Sequence, residues 1–462
     1  MYFYILFTIF ALIILIVTLK KPFWSLLILL FLLPFHAFLV TYLRHVLNLN
    51  ETQGLILSLW KEWIIFTLLF PAIWTIIKEK KKALKIHWFD WCIIVLFILS
   101  LISIIWTPKN LNLIFFGLRF DFLFFALYFV VRLLKFKSRE LLYILGTVLL
   151  SALIVILFGI LQSTILPWDF LNRFGYTYSL EWLPGQALQS SQIVGAEREY
   201  SRIISTLAGP NSLGSYLVVV SAFVLVLIYL SNNLWLRLGF TFYFLALLLP
   251  LFRTYSRSAW IALFVVIIAF IIYLMTQFKR KPAPKGGFFF LLGFLFLLVG
   301  IIVGSILYIF TKKRTSLVEV FWRSFSTTEH VRLFKQAGQD IINNPFGKGI
   351  GASGPASQWA TGIKELTEST YLQMGVEYGF LGLILFTLSI IGMIIKLFKE
   401  AVLTKIGINK AVLLGSSLAL IGLSVNALFT HAFTDTVTIL TLFALIGASI
   451  SNNEKKIEVI FH

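Results

Sequence analysis

Residues 211–230 read NSLGSYLVVVSAFVLVLIYL, with no Asp, Glu, Lys or Arg among them. A run of about 20 such residues matches the length of a helix that crosses the hydrocarbon core of a bilayer. A helix satisfies its backbone hydrogen bonds within the segment, which lipid demands of any lone span. The reading is therefore a membrane-spanning helix. Similar runs lie upstream near 2–19, 23–43, 61–77, 88–106, 113–131 and 140–166. Others follow near 234–251, 257–276, 287–310, 369–395, 411–430 and 436–450. Pro34 and His36 interrupt the second run, so the expectation is an all-α polytopic membrane protein with about 12–13 transmembrane helices. Composition agrees: 59% of the 462 residues are hydrophobic and 13% charged, against about 45–50% and about 25% in soluble domains. With a mean hydropathy of +0.92, this excludes a soluble enzyme, a disordered chain and a disulfide-stapled secreted domain. The single cysteine, Cys92, lies inside an apolar run and reads as a buried, inert thiol.

The net charge of +19 has to be localised before it means anything. About 22 of the 39 Lys+Arg fall in alternate short loops. These hold Lys20–Lys21, the run from Lys78 to Lys85, Arg132 to Arg139, Arg237, Lys279 to Lys285, Lys396 to Lys410 and Lys455–Lys456. Lys and Arg accumulate on the cytoplasmic side of membrane proteins, so this face and the C-terminus are assigned to the cytoplasm. The excess is directed at anionic inner-leaflet lipids and gives no reason to expect nucleic acid. Residues 1–19 lack a basic leader and a cleavage site, so they read as a retained anchor.

The organisation that follows is 1–166, N-terminal transmembrane helices; 167–210, a first outer loop; and 211–310, central transmembrane helices. Then come 311–368, a large outer loop with an amphipathic helix, and 369–462, C-terminal transmembrane helices with a cytoplasmic tail. Long loops without linker composition are usually functional, so the chemistry is expected outside the cytoplasm. In the second loop, Ser326-Thr327-Thr328-Glu329 has the form of a capping box, predicting a helix from Thr328 to Asn343 that stops before Pro345. Val331, Phe334, Ala337 and Ile341 form its apolar stripe, with Arg332, Lys335, Gln336 and Gln339 on the polar flank, so it reads as a helical lid. The following run, Gly347-Lys348-Gly349-Ile350-Gly351, permits positive φ and an anion-facing backbone, but lacks the Gly-Lys-Ser/Thr ending and the preceding strand of a nucleotide loop.

Glu368 stands at the mouth of the next span, and Glu377 lies inside it, where a carboxylate is costly and marks a functional candidate or a partner for a bundle arginine. The first loop ends in Arg202 and then Gly209-Pro210-Asn211, with Asn211 expected to cap the following helix. Arg253 and Arg257 flank another outer boundary. Arg119 and Asp121, two residues apart, face different ways. Arginine recognises phosphate bidentately and keeps its charge, so a diphosphate at the outer face suits this set. The six histidines show no metal-ligand spacing, and no metal site or cofactor is expected.

Taken in order, four segments resemble the O-antigen ligase and Wzy-type polymerase superfamily. They are Arg202 with Gly209-Pro210-Asn211, then Thr254-Tyr255-Ser256-Arg257-Ser258-Ala259. Next come Arg332 with Asn344-Pro345 and the Gly349/Gly351 run, and last Glu368-Ser369-Thr370-Tyr371 with Glu377-Tyr378-Gly379. The resemblance is strongest over about residues 200–395. It implies a GT-C-like, metal-independent glycosyltransferase acting on undecaprenyl-diphosphate-linked glycans at the outer face of the cytoplasmic membrane. Implied partners are the lipid-linked donor, a glycan acceptor, the lipid bilayer and a chain-length regulator protein. Ligases of the family carry His-Asn where this chain has Glu368-Ser369. That departure favours a polymerase of O-antigen, capsule or exopolysaccharide repeat units. The alternatives are a ligase moving the glycan to lipid A core or another acceptor and, further off, a lipid-linked sugar transporter. The expected diphosphate ligands are Arg202, Arg257 and Arg332. Glu368 and Arg257 are the expected catalytic residues, supported by Asn211, Glu377, Tyr371, Gly349 and Gly351.

Overall fold

The computed structural model describes residues 2–80, 83–107, 110–177, 192–193, 201–278, 324–362 and 367–460. The first half holds α1 (Tyr2–Lys20), α2 (Pro22–Leu32), α3 (His36–Val46), α4 (Glu51–Ser58), α5 (Trp60–Glu79), α6 (Trp88–Ser103), α7 (Leu111–Leu133) and α8 (Ser138–Thr164). The second half holds α9 (Pro210–Leu230), α10 (Leu234–Arg253), α11 (Arg257–Phe278), α12 (Ser324–Asn343), α13 (Gly354–Thr361), α14 (Thr370–Leu403), α15 (Ile408–Asn426) and α16 (Thr436–Ile460). Among the described residues, 10 helices are long and apolar enough to span a membrane, with Pro22–Val46 as one broken span. Trp88–Ser103 and Thr436–Ser451 are shorter apolar helices. The run at 287–310 and the basic loop at 279–285 lie outside the described residues. An all-α polytopic membrane protein is what the hydropathy pattern predicts. A two-residue antiparallel pairing, Gln192–Ile193 with Ser201–Arg202, interrupts the helical pattern before α9. Cys92 is half-buried, less enclosed than its apolar surroundings in sequence suggest.

Helix α9, the segment quoted first above, is the centre of the bundle. Tyr216, Leu217, Val218 and Phe223 on it are fully buried, and it packs against α8, α10, α11, α15 and α16. Lipid gives no hydrophobic drive for helix association, so close approach over small residues matters. A Cβ on Gly415 of α15 would stand 2.3 Å from Phe223, and one on Gly422 would stand 2.5 Å from Val266 of α11. At the basic end of the bundle, Arg132 donates to Asp90 at 2.8 Å and to the Tyr128 hydroxyl at 2.8 Å, all fully buried.

Two breaks inside spans explain where the loops dock. Pro34 ends α2 in a 3-10 turn, Leu33–Phe35, and the Pro34 carbonyl it releases accepts from Thr206 Oγ1 at 2.8 Å. In α14, Gly379 adopts φ 70, ψ −167, a region that a side chain does not tolerate. The run after α12 fills this gap. Lys348 N–H donates to the Val376 carbonyl at 2.8 Å, Gly349 N–H to the Glu377 carbonyl at 3.0 Å, and Phe380 N–H to the Pro345 carbonyl at 3.2 Å. Irregular backbone within a span persists only when protein satisfies it in this way.

Candidate active site

The ends of five elements meet beyond the starts of α9 and α11. Helix α10 stops at Arg253, and Tyr255, with φ +49, turns the chain into α11. The strand residue Arg202 is tied to that turn: its Nε donates to the Thr254 carbonyl at 2.7 Å and its Nη2 to Asn211 Oδ1 at 2.6 Å. The neighbouring Ile203 N–H donates to the Arg253 carbonyl at 3.3 Å. Asn211 is therefore not the N-cap of α9, which is Gly209. It lies inside the first turn, and its side chain steers Arg202 instead.

A cavity of about 700 Å³ opens here. Arg202 and Asn211 line one side, with Tyr255, Ser256, Arg257 and Ser258 beside them. Two helix N-termini thus converge on it, each with the positive end of its dipole inward, a ready arrangement for an anion. Phe429 and Thr430, just past α15, form another part of the wall. His330, Val331, Phe334 and Lys335 of α12 cover it.

Helix α12 departs from its expected form in two ways. It begins at Ser324, so Ser326 is within the helix and the capping box does not mark its start. Its apolar stripe is also divided between two tasks. Ala337 and Ile341 pack on Val376 and Leu372 of α14, while Val331 and Phe334 overhang the cavity. That rotation puts His330 and Lys335 on the cavity side. Arg332 points away, its side chain 59% exposed. Its guanidinium grips Glu329, Nε to Oε2 at 2.9 Å and Nη2 to Oε1 at 2.5 Å. These hydrogen bonds hold the Glu329 carboxyl below its usual range. Arg332 is not among the cavity-lining residues, which sets it apart from the other two expected diphosphate ligands. The physical reason is angular: on a helix, residue 332 lies well round from the 330/334 and 331/335 pairs.

Glu368 sits behind His330, with Oε2 3.6 Å from His330 Nδ1. Its backbone is in the left-handed region at φ +53. The segment is pinned to the end of α15: Ser369 Oγ donates to the Ala427 carbonyl at 3.1 Å, as does Thr370 N–H at 3.1 Å.

The remaining expected residues serve the bundle. Glu377 is fully buried, and its carboxylate is held by polar neighbours and not by an arginine among the described residues: it accepts from Gln373 Nε2 at 3.2 Å and from Gly351 N–H at 3.2 Å. Asp121 of α7 shares that Gln373 amide at 3.1 Å and accepts from the Tyr378 hydroxyl at 2.7 Å. Gly349 and Gly351 turn their N–H groups to Glu377, not to the cavity. Tyr371 packs edge-on against Phe386. Arg119 and Asp121 do part company, as their spacing predicts: Arg119 Nε reaches Glu62 of α5 at 2.6 Å.

The sequence reading missed His330 and Lys335 as cavity residues. Their location in an outer loop, one helical turn from Phe334 and Val331, was the available signal. It noted Asp121 but not its pairing with Gln373, which lies more than two hundred residues away.

Residues 242–387 match the model of a family described as O-antigen ligase. No curated protein matches the chain. The matched stretch contains Arg257, the α12 helix, the glycine run, Glu368 and Glu377, while Arg202 and Asn211 lie upstream of it. Residues 242–387 thus carry an O-antigen ligase domain, and this supports placing the chain in the O-antigen ligase and Wzy-type superfamily.

Proposed function

We propose that the protein polymerises undecaprenyl-diphosphate-linked oligosaccharide repeat units at the outer face of the cytoplasmic membrane. The observation that carries this reading is the cavity where Arg202, Arg257 and the starts of α9 and α11 converge. Two permanent cations and two helix dipoles suit a diphosphate, whose charge grows as it leaves the sugar. An acceptor hydroxyl attacks the anomeric carbon, and the lipid diphosphate departs from the opposite side. The protein's tasks are to hold both reactants in line and to stabilise the leaving group. Arg202 and Arg257 hold the diphosphate, with Lys335 as a third cation from the lid. Glu368 stands at the acceptor end, beside His330. Glu368-Ser369, in place of the His-Asn pair of ligases, supports polymerase over ligase. The exposed, apolar Val331 and Phe334 on the lid offer a surface for the lipid or sugar to slide past.

Reconstitution in liposomes with an undecaprenyl-diphosphate oligosaccharide tests the reading. A ladder of repeat units supports it. A single mass shift on an added acceptor assigns a ligase instead, and release of free oligosaccharide alone contradicts both.

A further inference from the structure

We infer that His330 is the base that takes the acceptor proton, and that Glu368 acts through it as a positioning residue. This rests on the transferase reading above and refines the role of Glu368 within it. His330 lines the cavity with Arg202 and Arg257, whereas Glu368 is not among its lining residues. The imidazole Nδ1 is turned to Glu368 Oε2 at 3.6 Å. With Nδ1 directed at the carboxylate, Nε2 is the ring nitrogen left to meet a substrate. Catalytic hydrogen bonds are commonly this long until the reactants engage. The neighbouring carboxylate, Glu329, is committed to Arg332 through two hydrogen bonds, so Glu368 is the carboxylate placed to orient the ring. Its left-handed backbone reinforces the point, because a non-glycine residue is held at φ +53 only where the surroundings fix it. The hydrogen bonds from Ser369 and Thr370 to Ala427 provide that fixing.

The order hydroxyl, imidazole, carboxylate is the one that serves other acyl and group transfers, with a sugar hydroxyl as nucleophile. The acceptor O–H gives its proton to His330 Nε2 as the new C–O bond forms at the anomeric carbon. The old C–O bond breaks, and its electron pair leaves on the diphosphate. The imidazolium, stabilised by Glu368, then returns the proton to water in the cavity. Ligases of the family carry a histidine at the position of Glu368; here the imidazole comes from the lid helix, and the carboxylate stands where that histidine would be.

The test uses the full chain in liposomes with an undecaprenyl-diphosphate oligosaccharide, comparing wild type, His330→Ala, Glu368→Gln, Glu368→Asp and Arg257→Ala. For His330→Ala, kcat falls about 100-fold or more while donor KM stays within about 3-fold. Added imidazole restores at least about tenfold of the rate to His330→Ala and none to Arg257→Ala, a response that a structural histidine would not give. Glu368→Gln lowers kcat with KM held, and Glu368→Asp recovers part of it. If wild type transfers glycan and His330→Ala keeps its rate, or loses it without imidazole rescue, the inference is overturned and the transferase reading stands. If wild type transfers nothing, the transferase reading itself fails. Should His330→Ala not fold, the Gln and Asp variants at 368 decide the matter: equal rates to wild type in both overturn the inference.

Discussion

Two arginines near this site are each aimed by the oxygens they touch. Arg202 is held by Thr254 and Asn211, and Arg332 is held away from the cavity by Glu329. Two substitutions on one helix therefore part ways. Arg332→Ala leaves glycan transfer within about 2-fold of wild type, while Lys335→Ala raises donor KM about tenfold, the size of one lost charge-assisted bond. Steady-state kinetics on the two variants measure this. Far from the cavity, Arg132→Ala leaves Asp90 buried without its cation and costs about 3–5 kcal/mol of stability, read as a fall in thermal midpoint in detergent. The sequence revealed the residue types at the site but only part of their direction. Arg202 and Arg257 were legible because each lies next to a helix start that the hydropathy pattern marks. The rotation of α12 was not, because which of its residues face the cavity depends on Ala337 and Ile341 seating against α14.

At the scale of elements, the break in α14 is the main structural device. The Gly379 break leaves backbone groups of Val376, Glu377 and Phe380 to the loop after α12, which satisfies them and is itself anchored. The contact is too close for side chains: a Cβ on Gly379 would stand 2.0 Å from the Pro345 carbonyl oxygen, and one on Gly347 2.2 Å from the Glu377 carbonyl oxygen. Gly379→Ala and Gly347→Ala each lose at least about 1–3 kcal/mol, through strained φ and collision. Gly239→Ala, inside α10 with open space about it, stays neutral or gains slightly. Thermal unfolding of the three proteins in detergent separates them. In the sequence the glycine run reads as a turn, which it is. Its partner, a kinked span, was hidden because α14 is apolar on both sides of Gly379 and hydropathy does not register a broken hydrogen-bond ladder.

On the scale of the whole molecule, the cavity and the buried Arg132–Asp90 pair mark opposite ends of one bundle, and the proposed orientation, argued from the basic loops, puts the pair's end in the cytoplasm. In a Cys92→Ser background, Thr361→Cys on α13 is labelled by an impermeant thiol reagent added outside spheroplasts, and Lys399→Cys only after lysis. The reverse pattern contradicts the assigned orientation. That the chain crosses the membrane many times was legible in the hydropathy, since each span needs about 20 apolar residues; the described residues hold 10 such helices and two shorter apolar ones, against the 12–13 expected. The cavity was not, since its walls come from Arg202, Arg257, His330 and Thr430, which only the packing of α9, α11, α12 and α15 brings together. The central claim is that this cavity transfers a glycan from a lipid diphosphate. Its most direct test is product analysis of purified wild type and Arg257→Ala in liposomes supplied with undecaprenyl-diphosphate oligosaccharide. The account predicts a ladder of repeat units from wild type and at least about 100-fold less from Arg257→Ala. An equal ladder from both proteins, or none from wild type, would contradict it.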